Sequence, residues 1–299
     1  MYKIKSEVNP FALSRRINRP LILDGAMGSM LQQIGNKPDG SLWMSLLNLS
    51  HPEDVIKIHK KYISAGADII TTNTFRTNPI AVENSQNKID LNNLVKQSVE
   101  LAIEAVKDLP IFIAGSNAPA EDCYQVKRKV SIKLLEANHK KHIELLMKYG
   151  SSFILNETQS HFDEIKIICN FCSKNNVPYV ISLFTDENLK LLSGESASEV
   201  NKYILDYSPL AVSVNCIRQE TFFNYFDKTK FNFNWGTYLN CGSGKYTDDN
   251  ISCGISPIKY KIIVQKILTK SPSFIGACCG STPGHIKKIK ELLNGKTNN

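Results

Sequence analysis

One alternation, repeated along nearly the whole chain, restricts the fold more than any other feature. Short apolar, β-rich runs are separated by longer amphipathic ones. The runs predict strands over residues 20–24, 67–72, 110–115, 151–156, 177–184, 209–215, 232–240 and 273–277. Helical patterns fill the gaps, over 51–65, 88–107, 131–149, 163–174, 196–205, 221–227, 257–269 and 283–293. Strands alternating with helices in this way build a parallel sheet. Eight such units fit an α/β protein closed into a single-domain (β/α)8 TIM-type barrel, which carries its site at the C-terminal ends of its strands.

Closure can be checked within the sequence, because polar residues unusual in a core should collect where strands end. Asp24-Gly25-Ala26-Met27-Gly28-Ser29 follows the first run and Thr72-Asn73-Thr74-Phe75-Arg76 the second. Ser116-Asn117, Asn156-Glu157-Thr158-Gln159, Asn215-Cys216, Asn240 and Cys278-Cys279 follow five others. An open, doubly wound sheet would converge only the ends near its switch point. Signals at so many ends favour a closed ring.

The cysteines carry the sharpest chemistry. Cys278 and Cys279 stand where the last strand runs into Gly280, and Cys216 ends another strand. Neighbouring side chains of a regular strand point to opposite faces, so two adjacent thiols face one target only where the strand gives way to a turn. A vicinal pair is poor disulfide geometry, whereas two thiolates with a third from elsewhere suit zinc and leave its fourth position open. The competing reading is three buried small residues, since free cysteine packs like a hydrophobe. Cys169 and Cys172 fall inside a predicted helix and read as core, while Cys123, Cys241 and Cys253 read as incidental loop thiols. Asp24 before two glycines reads as a turn or a close approach to a ligand. Glu157 directly after an apolar strand is costly unless it meets a cation; the alternative is a surface glutamate at a helix start.

Composition narrows the class further. With eight cysteines in 299 residues and a polar, basic N-terminus lacking an apolar core, the expected state is reduced thiols in the cytoplasm. No segment is apolar enough to cross a bilayer. The net charge of +8 is spread over helical segments, and clusters such as Lys127-Arg128-Lys129 lack the interleaved aromatics of a nucleic-acid site. None of the six histidines stands at a predicted strand end, which disfavours a His-carboxylate metal hydrolase. Residues 1–19 read as an extension, 20–293 as the barrel domain and 294–299 as a tail.

Taken together, Asp24-Gly25-Ala26-Met27-Gly28, residues 71–75, Glu157-Thr158-Gln159, Val214-Asn215-Cys216 and Gly276-Ala277-Cys278-Cys279-Gly280 resemble the zinc-dependent homocysteine S-methyltransferases in order and spacing. The resemblance implies zinc held by Cys216, Cys278 and Cys279, with homocysteine's sulfur in the open position. It implies that Glu157 holds the acceptor's ammonium, that Asp24 and Gly25 line the same pocket, that Asn215 shapes the zinc site and that Asn73 and Thr74 form that site's floor. Trp43, Phe75 and Arg76 fall on the donor side, although Trp43 also reads as a packing residue. Arg76 stands where betaine-using relatives carry a further aromatic, which disfavours betaine and favours a carboxylate-bearing sulfonium donor, such as S-methylmethionine or S-adenosylmethionine. The rival from another class is a non-catalytic zinc- or thiol-binding barrel. The expected partners are small molecules, with no nucleic acid and no membrane, and the expected assembly is a monomer or weak homodimer.

Overall fold

A computed structural model describes residues 9–245 and 250–295. Eight parallel strands form one sheet: β1 (Leu21–Ile22), β2 (Ile69–Thr71), β3 (Phe112–Asn117), β4 (Phe153–Gln159), β5 (Tyr179–Leu183), β6 (Ala211–Asn215), β7 (Trp235–Leu239) and β8 (Phe274–Ala277). Each predicted strand is present. The sheet runs β1-β8-β7-β6-β5-β4-β3-β2, with β1 against β8 through Leu21/Phe274 and Ile22/Ile275. The last seam, between β1 and β2, closes through one bridge, Leu23 to Ile69. Backbone bonds from Asp68 N–H to the Ile22 carbonyl at 2.8 Å and from Asp24 N–H to the Ile69 carbonyl at 3.0 Å flank it.

The helices are α1 (Pro10–Arg16), α2 (Met27–Gln33), α3 (Leu47–Ser50), α4 (Pro52–Ala65), α5 (Pro79–Glu83), α6 (Leu91–Val106), α7 (Ile132–Lys148), α8 (Phe162–Lys174), α9 (Ala197–Leu205), α10 (Gln219–Lys228), α11 (Pro257–Ile267) and α12 (Pro283–Gly295). Eight of them, α4 and α6 to α12, form the outer ring, and their starts follow local chemistry. Ser196 and Glu199 make a reciprocal capping box on α9, while Asn78, Asp90 and Ser256 accept from the first turns of α5, α6 and α11. Gly66, at φ +106°, lets α4 end in a left-handed cap. Helix α12 runs past residue 293, the expected end of the barrel, and residues 296–299 of the expected tail lie outside the described residues. Among the described residues no helix is long and apolar enough to cross a membrane.

Strands β3 and β4 continue beyond the apolar runs that announce them, and their polar ends are paired within the sheet. Asn117 donates to Asn156 Oδ1 at 2.7 Å, and Asn156 donates to the Val180 carbonyl at 3.0 Å. Buried amides satisfied in this way extend a strand that hydrophobicity alone would end. A register shift between Asn156 and Gln159 then leaves Thr158 at φ +56°.

The core has two main parts. A large cluster lies between sheet and helices, and a second fills the bore with Leu21, Ile69, Phe112, Phe153, Val180 and Phe274. Strands buried on both faces read as continuous apolar runs, as these do. The floor of the bore is closed by α1, although nothing before residue 20 reads as an element in the sequence. Phe11 is fully buried there, stacked on Phe274 at 5.2 Å and edge-on to Phe153 at 6.1 Å. Arg19 anchors the connection with two bonds to the Asp68 carboxylate, at 2.6 and 2.9 Å.

Phe11→Ala should cost about 3–5 kcal/mol, the usual loss for emptying a buried aromatic site. Urea unfolding would register this as a lower midpoint; an unchanged midpoint would mean that α1 is not part of the cooperative core.

Candidate active site

The site forms where β6 and β8 end. Cys216 leaves β6 at φ +55°, and Gly280 turns the chain after β8 at φ +75°. A Cβ at Gly280 would stand 2.5 Å from Gly242 Cα, so only glycine fits this turn. Backbone bonds from Cys216 N–H to the Tyr238 carbonyl (3.0 Å) and from Cys278 N–H to the Leu239 carbonyl (2.8 Å) fix both ends against β7. The three sulfurs meet: Cys216 lies 2.7 Å from Cys278 and 3.3 Å from Cys279, and Cys278 lies 4.0 Å from Cys279. Among the described residues this is the one group of three or more His, Cys, Asp or Glu side chains close enough to share a metal ion. Hydrogen bonding with Cys278 and Cys279 holds the Cys216 thiol well below the usual range, while their own thiols are pushed well above it. A tetrahedral ion with metal–sulfur bonds of about 2.3 Å sets its sulfurs about 3.8 Å apart. The three separations bracket that value, and the soft donor set fits zinc.

Two carboxylates share the bore with these thiols. Asp24, 3% exposed, accepts from Thr71 N–H and Thr71 Oγ1, both at 2.8 Å. Burial pushes it up to about 8 against those bonds, and Glu157 adds to the rise. Glu157 accepts a short bond from Ser116 Oγ, and burial pushes it up to about 7. It lies within β4, well before α8 begins at Phe162, so it is not a surface helix-start glutamate. A Cβ at Gly25 would sit 2.7 Å from Ser281 Oγ and from the Tyr62 ring, whose hydroxyl donates to the Ala26 carbonyl at 3.0 Å.

A cavity of about 680 Å³ joins these groups. Asp24, Gly25, Asn73, Glu157, the three cysteines, Trp43, Phe75 and Arg76 all line it. Thr74 and Asn215 do not. Thr74 is buried behind the wall and donates to the Ser116 carbonyl at 2.8 Å. Asn215 accepts from the strained Thr158 N–H at 2.8 Å and donates to Thr158 Oγ1 at 2.9 Å, fixing the turn that carries Glu157. The Asn73 amide is turned outward, toward the Met44 carbonyl and Asn48. Trp43 packs its ring where a Cβ at Gly28 would be, and meets Phe75 edge-on at 6.4 Å. The Arg76 guanidinium lies 5.4 Å from the Phe75 ring centre, donates to the Glu121 carbonyl at 2.7 Å and pairs with Asp122 at 3.5 Å.

The loop between β3 and α7 also reaches the cavity, and the sequence did not announce it. Cys123 and Tyr124 line the wall, and the Tyr124 hydroxyl donates to Cys216 Sγ at 3.4 Å. One buried carboxylate, Glu164 on α8, holds both ends of the loop: it accepts from Ala120 N–H and from Arg128, each at 2.9 Å, and from His139 at 2.5 Å. Arg128 belongs to the basic cluster Lys127-Arg128-Lys129. Among the other thiols, Cys169, Cys172 and Cys241 are buried and Cys253 is exposed.

A closed α/β barrel that gathers three thiols and two buried carboxylates at one end of its bore defines a thiol-centred barrel protein. Residues 21–293 match the family described as homocysteine S-methyltransferase. Homocysteine S-methyltransferase 2 of Zea mays is 25% identical over 93% of this chain and 91% of that relative. Homocysteine S-methyltransferase 1 of the same plant is 21% identical over 92% and 95%. The metallated form of the Escherichia coli homocysteine methyltransferase MmuM is similar in fold, with a TM-score of 0.78 over 94% of this chain and 99% of that one at 23% identity. The chain belongs to the homocysteine S-methyltransferase family and is by that membership a methyltransferase.

The two raised carboxyls make stability pH-dependent. Unfolded, they titrate near 3.8 and 4.5; folded, near 8 and 7. Between those limits the folded protein keeps protons that the unfolded chain has released, so stability falls as pH rises through this window. The slope is up to about 1.4 kcal/mol per pH unit for each group. Urea midpoints of the metal-free protein from pH 4 to 8 should show the decline, and Asp24→Asn and Glu157→Gln should each flatten it.

Proposed function

We propose that the protein transfers a methyl group from a sulfonium donor, such as S-methylmethionine or S-adenosylmethionine, to the thiolate of homocysteine, giving methionine. Zinc would be held by Cys216, Cys278 and Cys279. The observation that carries this reading is the three-thiol cluster opening into the same cavity as two buried carboxylates, Asp24 and Glu157. Bound there, zinc would deprotonate a coordinated thiol.

The chain's own groups account for the rest. Asp24 and Glu157 suit an ammonium, whose charge would draw both carboxyls back to their ionised forms. Thr71 and Ser116 aim those carboxylates. In the transfer, the acceptor sulfur's lone pair forms the new S–C bond as the donor's C–S⁺ bond breaks, and the donor leaves as a neutral thioether. No general base is needed once the acceptor is a thiolate, so alignment is the remaining task. Trp43 and Phe75 offer aromatic faces to the onium centre. Arg76 beside them opposes a quaternary ammonium cage and suits a donor's carboxylate, in exchange for its exposed partner Asp122.

Methionine formation from homocysteine with S-methylmethionine, S-adenosylmethionine, betaine and dimethylsulfoniopropionate in parallel, with zinc quantified in the same sample, tests this reading. Turnover is expected with a sulfonium donor and not with betaine; stoichiometric zinc without turnover from any donor would favour a binding protein. Cys216→Ser should lose zinc retention and at least about 100-fold in turnover, and unchanged metal content would count against the ligand set. Arg76→Gln should raise KM for the carboxylate-bearing donor about tenfold and leave trimethylsulfonium turnover unchanged.

A further inference from the structure

The β3–α7 loop is tied down along its length. Arg76 donates to the Glu121 carbonyl at 2.7 Å, and the Glu121 carboxylate accepts from Lys129 N–H at 2.9 Å and from Val130 N–H at 3.1 Å. His161 meets the Val126 carbonyl at 3.1 Å, and Arg128 pairs with Asp163 as well as with Glu164. Asp122 accepts from Tyr124 N–H at 2.8 Å. Ordering a loop costs about 1–2 kcal/mol of backbone entropy per residue, and among what this ordering fixes is a hydroxyl that reaches the thiols. The Tyr124 ring stands edge-on to the buried Phe184 at 5.1 Å, and its hydroxyl donates to Cys216 Sγ at 3.4 Å. Neither Cys278 nor Cys279 receives a hydroxyl donor among the described residues.

We propose that Tyr124 is a positioning residue that favours a thiolate over a thioether at the metal's open position, acting through its bond to Cys216. This rests on the zinc and homocysteine reading above. Zinc on three thiolates is already negative overall, and a fourth thiolate adds charge inside a cavity that also holds Asp24 and Glu157. A metal-bound sulfur has no proton to give, so the phenol is the donor in this pair. An O–H donor on a ligand sulfur takes up part of the added charge, and the bond strengthens as that charge grows. The substrate sulfur enters as a thiolate, its proton going to solvent, whereas the product sulfur is a neutral thioether. The donor therefore stabilises the homocysteine complex and leaves the methionine complex nearly as it was. Tyr124 acts through Cys216, with no bond made or broken at it.

Tyr124→Phe removes the hydroxyl and keeps a ring against Phe184. Calorimetric titration at saturating zinc should give a homocysteine Kd raised about tenfold in the variant, with the methionine Kd unchanged. In the cobalt-substituted proteins the sulfur-to-metal charge-transfer band should move to lower energy in the variant, because the donor no longer lowers the energy of the Cys216 lone pairs. Equal homocysteine Kd values for parent and variant would overturn the inference alone. So would an equal loss for both ligands, which would make Tyr124 a wall of the pocket, or a Kd change without a band shift, which would place the effect away from the sulfur. A parent that takes up no zinc, or takes it up without binding homocysteine, would instead overturn the functional reading, and the inference with it.

Discussion

The carboxylate of Asp24 is the contact on which both barrel and site depend. Strand β1 is only two residues long, and the ring must still close against β2. Asp24 does this twice: its backbone N–H donates to Ile69, and its side chain accepts from the N–H and hydroxyl of Thr71. The side chain continues a ladder that the backbone of β1 has stopped supplying. Closure in turn converges the ends of β1, β4, β6 and β8 on one cavity, which an open sheet would spread apart.

The electrostatics of that cavity follow from its donors. Three thiols and two carboxylates line one cavity, the thiols bonded to one another and the carboxylates to Thr71 and Ser116. Burial raises the carboxyls, and the thiols share protons so that one of them, Cys216, takes the anionic role. A site arranged in this way stores demand for positive charge. On the proposed function, a metal ion on the thiols and an ammonium on the acids would answer that demand at two separate points and so orient a molecule carrying both an amine and a sulfur. Arg76 is engaged instead by the Glu121 carbonyl and Asp122.

Periodicity made the barrel legible. All eight strands fall where apolar runs indicate, and Gly276-Ala277-Cys278-Cys279-Gly280 states its own geometry, because two adjacent thiols need a turn to converge. Depth was harder to read. Thr74 and Asn215 stand at strand ends like the lining residues, but their side chains stabilise the wall from behind, and sequence position alone does not reveal which way a bulged strand end points. The clamp on the β3–α7 loop was invisible for another reason. Glu164 meets Ala120, Arg128 and His139 across separations of 44, 36 and 25 residues, so no local pattern marks the set. Helix α1 escaped notice because its single deeply buried ring, Phe11, sits in an otherwise polar, basic segment.

That ring bears on how the protein can be cut or fused. A chain trimmed at residue 20, where the alternation starts, would keep every group that lines the active cavity. It would also leave Phe153 and Phe274 facing water through the opposite end of the bore, where Phe11 now covers them. Exposed aromatic rings at an open barrel floor invite self-association. Tags and partners are therefore better joined ahead of α1 than in place of it, since the N-terminal helix belongs to the solubility of the fold even though it is remote from the chemistry.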